Sequence, residues 1–124
     1  MIRHTFHLSP VETWATAVAA FADGRAYEAA SLATEGFIHC TDGVDALGAT
    51  FDRYYAADQR PFVALTVDLD ALDALDVPWR YDVADSPYPH VYGAIPRIAI
   101  VDVQPVRRSE TGRFVGLAAS TVSG

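Results

Sequence analysis

Hydrophobic and polar positions alternate from the start of the chain. Ile2, His4, Phe6 and Leu8 share one parity and Arg3, Thr5 and His7 the other, the period-two pattern of a strand. Ser9-Pro10-Val11-Glu12 then reads as a helix start: Ser9 caps, Pro10 takes the first helical position and Glu12 closes a capping box. Val11, Trp14, Ala15, Val18 and Phe21 follow at helical spacing, and Gly24 is the stop. Residues 25–35 read as a loop with some helical content, and Gly36 to Cys40 as a short strand. Thr41 or Asp42 is expected to cap a second helix whose apolar face is Val44, Leu47, Phe51 and Tyr55.

Phe62 to Val67 is a run of β-branched, aromatic and aliphatic residues, the strongest strand signal in the chain. From Asp68 to Asp76 a Leu recurs every third position among acids, which suits a short helical turn with a solvated acidic side. The acids lack the spacing, mid-loop Gly and closing Glu of a calcium loop. Val77 to Val83 and Arg97 to Val103 read as strands, Asp85 to Pro89 and Arg107 to Gly112 as turns, and Arg113 to Leu117 as an edge strand. Two helices come early, most strands come late, and no regular crossover helices separate them. The expected class is α+β with a mainly antiparallel sheet, as one domain over residues 1–117 and a frayed tail over 118–124.

Composition narrows the function classes. The chain has 124 residues, 51% of them hydrophobic and 20% charged, which is globular composition. All 9 basic residues are Arg, against 16 acids, for a net charge of −7. Without Lys there is no Schiff-base or P-loop lysine. An acidic chain also argues against a broad nucleic-acid surface. The single Cys, Cys40, excludes an internal disulfide framework and fits a reducing compartment. No apolar run approaches the roughly 20 residues of a membrane helix, and the N-terminus reads directly into a strand, so a cytoplasmic location is expected.

Three segments set polar residues against apolar strands: Thr5 to Ser9, Gly36 to Thr41 and Pro89 to Gly93. They hold three of the four His, namely His7, His39 and His90. Each lies at a strand end or turn, where a rigid scaffold commonly builds a site. Imidazoles near neutral pH serve proton transfer or metal ligation. A metal-dependent hydrolase using all three His is one reading, although no metal motif supports the spacing. Cys40 with His7 or His90 as its base is another, against the simpler reading of Cys40 as an inert buried residue. Tyr92 is either a packed ring or a stacking surface for a nucleobase or nicotinamide. No Gly-x-Gly-x-x-Gly is present, which argues against a Rossmann site. A non-catalytic binding module, with the acidic Asp68 to Asp76 segment facing a basic partner, is the third reading.

The same segments resemble domain-of-unknown-function family 952, small bacterial proteins. The resemblance rests on His7-Leu8-Ser9, Trp14, Ser31-Leu32, Glu35, Gly36-Phe37-Ile38-His39-Cys40-Thr41 and Tyr88-Pro89-His90-Val91-Tyr92-Gly93. It spans about residues 2–117, and its most specific part is the Gly36 to Thr41 motif. The resemblance implies an ADP-ribosyltransferase-like fold: a split, mostly antiparallel sheet with two N-terminal helices and an NAD cleft. The order His7, Trp14, Gly24, His39-Cys40-Thr41 also resembles the opening of RNA 2′-phosphotransferases. By that likeness His7 and His39 face the cleft and Thr41 lies near the nicotinamide ribose. His90 then serves as a general base, Tyr92 as a stacking ring, and Ser9 and Arg80 join Thr41 and Tyr92 in holding NAD or a related nucleotide. The expected activity is ADP-ribosyl or phosphate transfer, or ligand binding alone. Two departures stand out. Asp102 is the only acid in the Arg97 to Val103 strand, where related transferases place a Glu, and Trp79 is followed by Arg80 where family members often have an acid.

Overall fold

The computed structural model describes residues 3–120. Ile2 of the expected first strand and residues 121–124 of the expected tail lie outside the described residues. The elements are β1 (His4–Pro10), α1 (Val11–Phe21), α2 (Ala30–Glu35), β2 (Ile38–His39), α3 (Val44–Tyr54), β3 (Phe62–Asp68), α4 (Leu69–Ala74), β4 (Trp79–Arg80), β5 (His90–Val91), β6 (Ile100–Arg108) and β7 (Phe114–Leu117). A 3₁₀ turn, Arg97–Ala99, precedes β6. The strands form two antiparallel sheets, one ordered β1-β3-β6-β7 and one ordered β2-β5-β4. One isolated bridge joins them, in which Phe6 and Thr41 exchange both backbone hydrogen bonds at 2.9 and 2.7 Å. The α+β class with antiparallel sheets is therefore as expected, and the sheet is split in two.

β3 sits inside the four-stranded sheet, and Phe62 to Val67 are all buried. Its odd residues Val63, Leu65 and Val67 pack with Ile38 and Val91 of the small sheet, Ala17 of α1 and Leu69 and Leu72 of α4. Its even residues Phe62 and Ala64 pack with Leu8 and with Leu47 and Phe51 of α3. A continuous apolar run is what a strand covered on both faces requires. Each fully buried Leu or Phe contributes about 1.5–3 kcal/mol relative to exposure.

Several local expectations are corrected. The Ser9 capping box does not form: Ser9 and Pro10 continue β1 opposite Val63 and Phe62. The Ser9 hydroxyl donates to the Pro10 carbonyl, and no side chain caps α1. Glu12 instead accepts from Arg60 at 2.8 Å. α1 keeps only part of its expected face. Ala17 is buried with Trp14 and Phe21 packed beside it, while Val11, Ala15 and Val18 are exposed. Neither Thr41 nor Asp42 caps α3; Gly43, at φ 84°, holds that position. The expected Val77 to Val83 strand shrinks to Trp79–Arg80, and β6 runs on through Arg107 and Arg108 where a turn was expected. Three helices, not two, precede β3. The Asp68 to Asp76 expectation holds, with Asp68 accepting from the Ala71 amide as the α4 cap. Ala118, at the start of the expected tail, is held to β6 by its amide and carbonyl, which bond Pro105 and Gln104.

Candidate functional site

The small sheet sorts its residues by parity. Ile38, Val91 and Trp79 lie in one cross-strand row, and His39, His90 and Arg80 in the next. Ile38 and Val91 are fully buried against the core. The alternation of strand side chains turns the second row to the opposite face. Phe37 packs its ring parallel to the His90 ring, with centroids 4.0 Å apart and planes 13° apart. It also meets His39 edge-on at 4.9 Å. The His39 and His90 rings are 5.4 Å apart. Tyr92 completes the group 5.4 Å from Phe37, and the Arg80 guanidinium lies 4.1 Å from the centre of the Tyr92 ring.

Two carboxylates hold the two imidazoles. Glu35, in the last turn of α2, pairs with His39 Nε2 at 3.1 Å. Asp82, just past β4, accepts from three side chains. Its Oδ2 takes the His90 Nδ1 hydrogen at 2.7 Å and the Tyr92 hydroxyl, and its Oδ1 takes Arg80 Nε at 2.7 Å. The Tyr92 hydroxyl, Arg80 and His90 together hold the Asp82 carboxyl well below the usual carboxylate range. Donors aimed at a carboxylate favour its ionised form.

His7 is in a different environment. It is 6% exposed, on the face of β1 that also carries the buried Thr5 and Ser9. Its Nδ1 lies 2.6 Å from the His39 carbonyl and its Nε2 2.8 Å from the Tyr27 hydroxyl. A carbonyl only accepts, so Nδ1 carries the hydrogen and Nε2 accepts from Tyr27. Burial pushes the His7 pKa down to about 4, opposed by the bond to the His39 carbonyl. Burial likewise raises the Tyr27 hydroxyl to about 12.

The structure thus brings together His39, His90, Arg80 and Tyr92 of the expected residues. It ties His7 to them only through the His39 backbone, with both ring nitrogens already engaged. Ser9 is wholly buried and Thr41 is 5% exposed, so neither presents a surface to a ligand in this conformation. Thr41 serves as the bridge between the sheets. Cys40 is 2% exposed, and burial holds its thiol protonated far above the ordinary range, which is the inert role and not that of a nucleophile. The hydrolase reading needs His7 as a ligand. Among the described residues, no group of three His, Cys, Asp or Glu is arranged to hold a metal. Asp102 lies opposite Thr66 in the four-stranded sheet, not in the small sheet that carries His39 and His90.

Sequence reasoning missed Asp82, Phe37, Glu35 and Tyr27 as partners of these residues. Period two from Arg80 and from His39 would have placed Asp82 and Phe37 on the same face, and the four-residue spacing Glu35–His39 was readable as a pair. Tyr27 lies in a loop and meets β1 only through long-range packing, so no local pattern marks it.

A split, antiparallel α+β domain with an imidazole–carboxylate face on its smaller sheet is the class these features define. The chain belongs to the family described as "Protein of unknown function (DUF952)", whose profile matches residues 9–103. Its fold is similar to the crystal structure of Protein CC0527 from Caulobacter crescentus, with 19% identity, a TM-score of 0.64 and coverage of 91% of this chain and 94% of that one. A double mutant of the same Caulobacter crescentus protein matches at 18% identity and a TM-score of 0.64, covering 91% of this chain and 94% of that one. At these identities the likeness is one of fold. No curated protein matches the chain. Among the described residues, no helix is long and apolar enough to cross a membrane.

Proposed function

We propose that the outer face of the small sheet binds a nucleotide of the NAD type, within a frame of the ADP-ribosyltransferase kind. The observation that carries this reading is the convergence of Phe37, His39, Arg80, His90 and Tyr92 on one face of three short strands. Aromatic rings and a guanidinium offer stacking surface to a base or nicotinamide. Imidazoles donate to and accept from ribose hydroxyls. The split of the antiparallel sheet, crossed by one bridge, agrees with the frame that the motif resemblance implies. In this assignment His39, His90, Arg80 and Tyr92 touch the ligand. His7, Ser9 and Thr41 act behind the face by fixing the His39 backbone and the junction between the sheets.

A thermal-shift titration with NAD, ADP-ribose and simple nucleotides tests the reading. A ligand at a hundredfold its dissociation constant adds about 2.7 kcal/mol to stability, a readily measured rise in Tm. The rise is expected for wild type and is expected to shrink in His90→Ala and in Arg80→Ala. Absence of a shift with every nucleotide, or an equal shift in all three proteins, refutes the proposal.

A further inference from the structure

We infer that Asp82 and His90 form a carboxylate–imidazole base, with Asp82 as the positioning residue and His90 Nε2 as the atom that takes a proton from a ligand hydroxyl. The inference deepens the proposed function and rests on it for the identity of the ligand. It does not rest on it for the existence of the base.

The argument begins with the carboxylate. Three donors converge on Asp82, two on Oδ2 and one on Oδ1, and they hold it ionised. An ionised carboxylate only accepts, so the His90 nitrogen facing it must carry the hydrogen. That nitrogen is Nδ1, and the neutral ring therefore leaves its lone pair on Nε2. Among the described residues, no protein group is hydrogen-bonded to Nε2. The contrast with His7 is internal to this chain. Both rings are fixed as the Nδ1–H tautomer, but Tyr27 bonds Nε2 of His7, whereas among the described residues no protein group bonds that of His90. Phe37 stacked on one side of the ring and Asp82 at its edge together restrict rotation.

The groups facing His90 set the chemistry. Arg80 and Asp82 come from the β4 side, Phe37 and His39 from the β2 side, and Tyr92 from just past its own strand. Arg80 is neutralised by Asp82, and Glu35 adds a further negative charge beside His39. The fixed charges of the face are one guanidinium against two carboxylates, so a neutral hydroxyl suits the position over Nε2 better than a phosphate does. In the step itself the O–H bond of that hydroxyl breaks and an Nε2–H bond forms. The ring becomes an imidazolium, and the adjacent carboxylate stabilises it without taking the proton, as in other base pairs of this kind.

The test uses the full chain and two readouts that need no ligand. In long-range ¹⁵N–¹H spectra recorded where the ring is neutral, His90 is expected as the Nδ1–H tautomer. Asp82→Ala is expected to shift it toward the Nε2–H form, and Asp82→Asn, which keeps an accepting oxygen, to retain the wild-type form. Diethyl pyrocarbonate, followed by peptide mass analysis, is expected to label His90 together with exposed His4 and His39 while leaving His7 unlabelled. An Nε2–H tautomer in the wild type, a tautomer unmoved by Asp82→Ala, or a His90 that resists labelling overturns the inference. Added ADP-ribose is expected to slow His90 labelling several-fold. Loss of that protection with the tautomer and labelling intact refutes the nucleotide reading and leaves the base standing.

Discussion

Mild acid should destabilise this fold through one ring. His7 is neutral in the folded protein with its pKa near 4, against 6.5 for an exposed imidazole. Between those values the unfolded chain binds a proton that the folded chain refuses, so stability is lost as pH falls through 6.5 and the loss levels off near 4. Carrying the protein from pH 7 to about pH 4.5 spans most of that window and costs about 2 kcal/mol. The depressed carboxylates act lower. Asp58, held by Arg60, has its pKa at about 2, and Asp70 and Asp82 are also lowered, so their contributions are lost mainly below the unfolded carboxylate range. Urea unfolding of wild type and His7→Gln at the two pH values isolates the ring. The variant is expected to be less stable at pH 7, because the bonds to Tyr27 and to the His39 carbonyl are disturbed. It is also expected to lose about 2 kcal/mol less than wild type on acidification. Equal losses in the two proteins would show that the His7 site admits its proton freely and that the burial argument fails.

The other predictions are independent of that ring. Arg108 donates to the carbonyls of Tyr55, Ala56, Arg60 and Gly112, so Arg108→Ala should cost about 2–3 kcal/mol in chemical denaturation, with Arg108→Lys recovering only part. Gly112 sits at φ +87° with the Ala56 carbonyl oxygen 2.5 Å from where a Cβ would be. Gly112→Ala should therefore lower stability by at least about 1 kcal/mol, read as a fall in Tm, and an unchanged Tm would contradict the close approach. Phe51 is wholly buried between α3 and the large sheet, and Phe51→Ala should cost about 3–5 kcal/mol. Cys40 should react with a thiol reagent only at the rate of unfolding, and prompt labelling of the native protein would show that the thiol is reachable.

What could be read from the sequence follows from how local each cause is. β3 was legible because burial on both faces leaves an unbroken apolar run, and α4 because its Leu repeat and its Asp68 cap lie within one turn. In α1 the pattern marked Trp14 and Phe21 correctly but overlooked Ala17 and included the exposed Val11, Ala15 and Val18. The helix meets the core through Ala17 with Trp14 and Phe21 beside it, and small residues at a close approach carry little hydropathy signal. The Ser9-Pro10-Val11-Glu12 stretch has the pattern of a cap, yet pairing of Ser9 and Pro10 with β3 prevails over it, and that partner is more than fifty residues distant in sequence. At the candidate site, His39 and His90 were legible from their motifs and do meet across two strands. The engagement of His7 was not legible, because it depends on Tyr27, which a backbone pairing with Ile95 brings to β1.

The placement of β3 also bears on how the domain opens. α3 cannot detach without leaving Phe62 and Ala64 in water, and the small sheet and α4 cannot detach without exposing Val63, Leu65 and Val67. Neither half can melt while the other remains content. The protein should therefore behave as one cooperative unit, with the amide hydrogens of Ala64 and Leu65 exchanging with deuterium only when the whole domain comes apart.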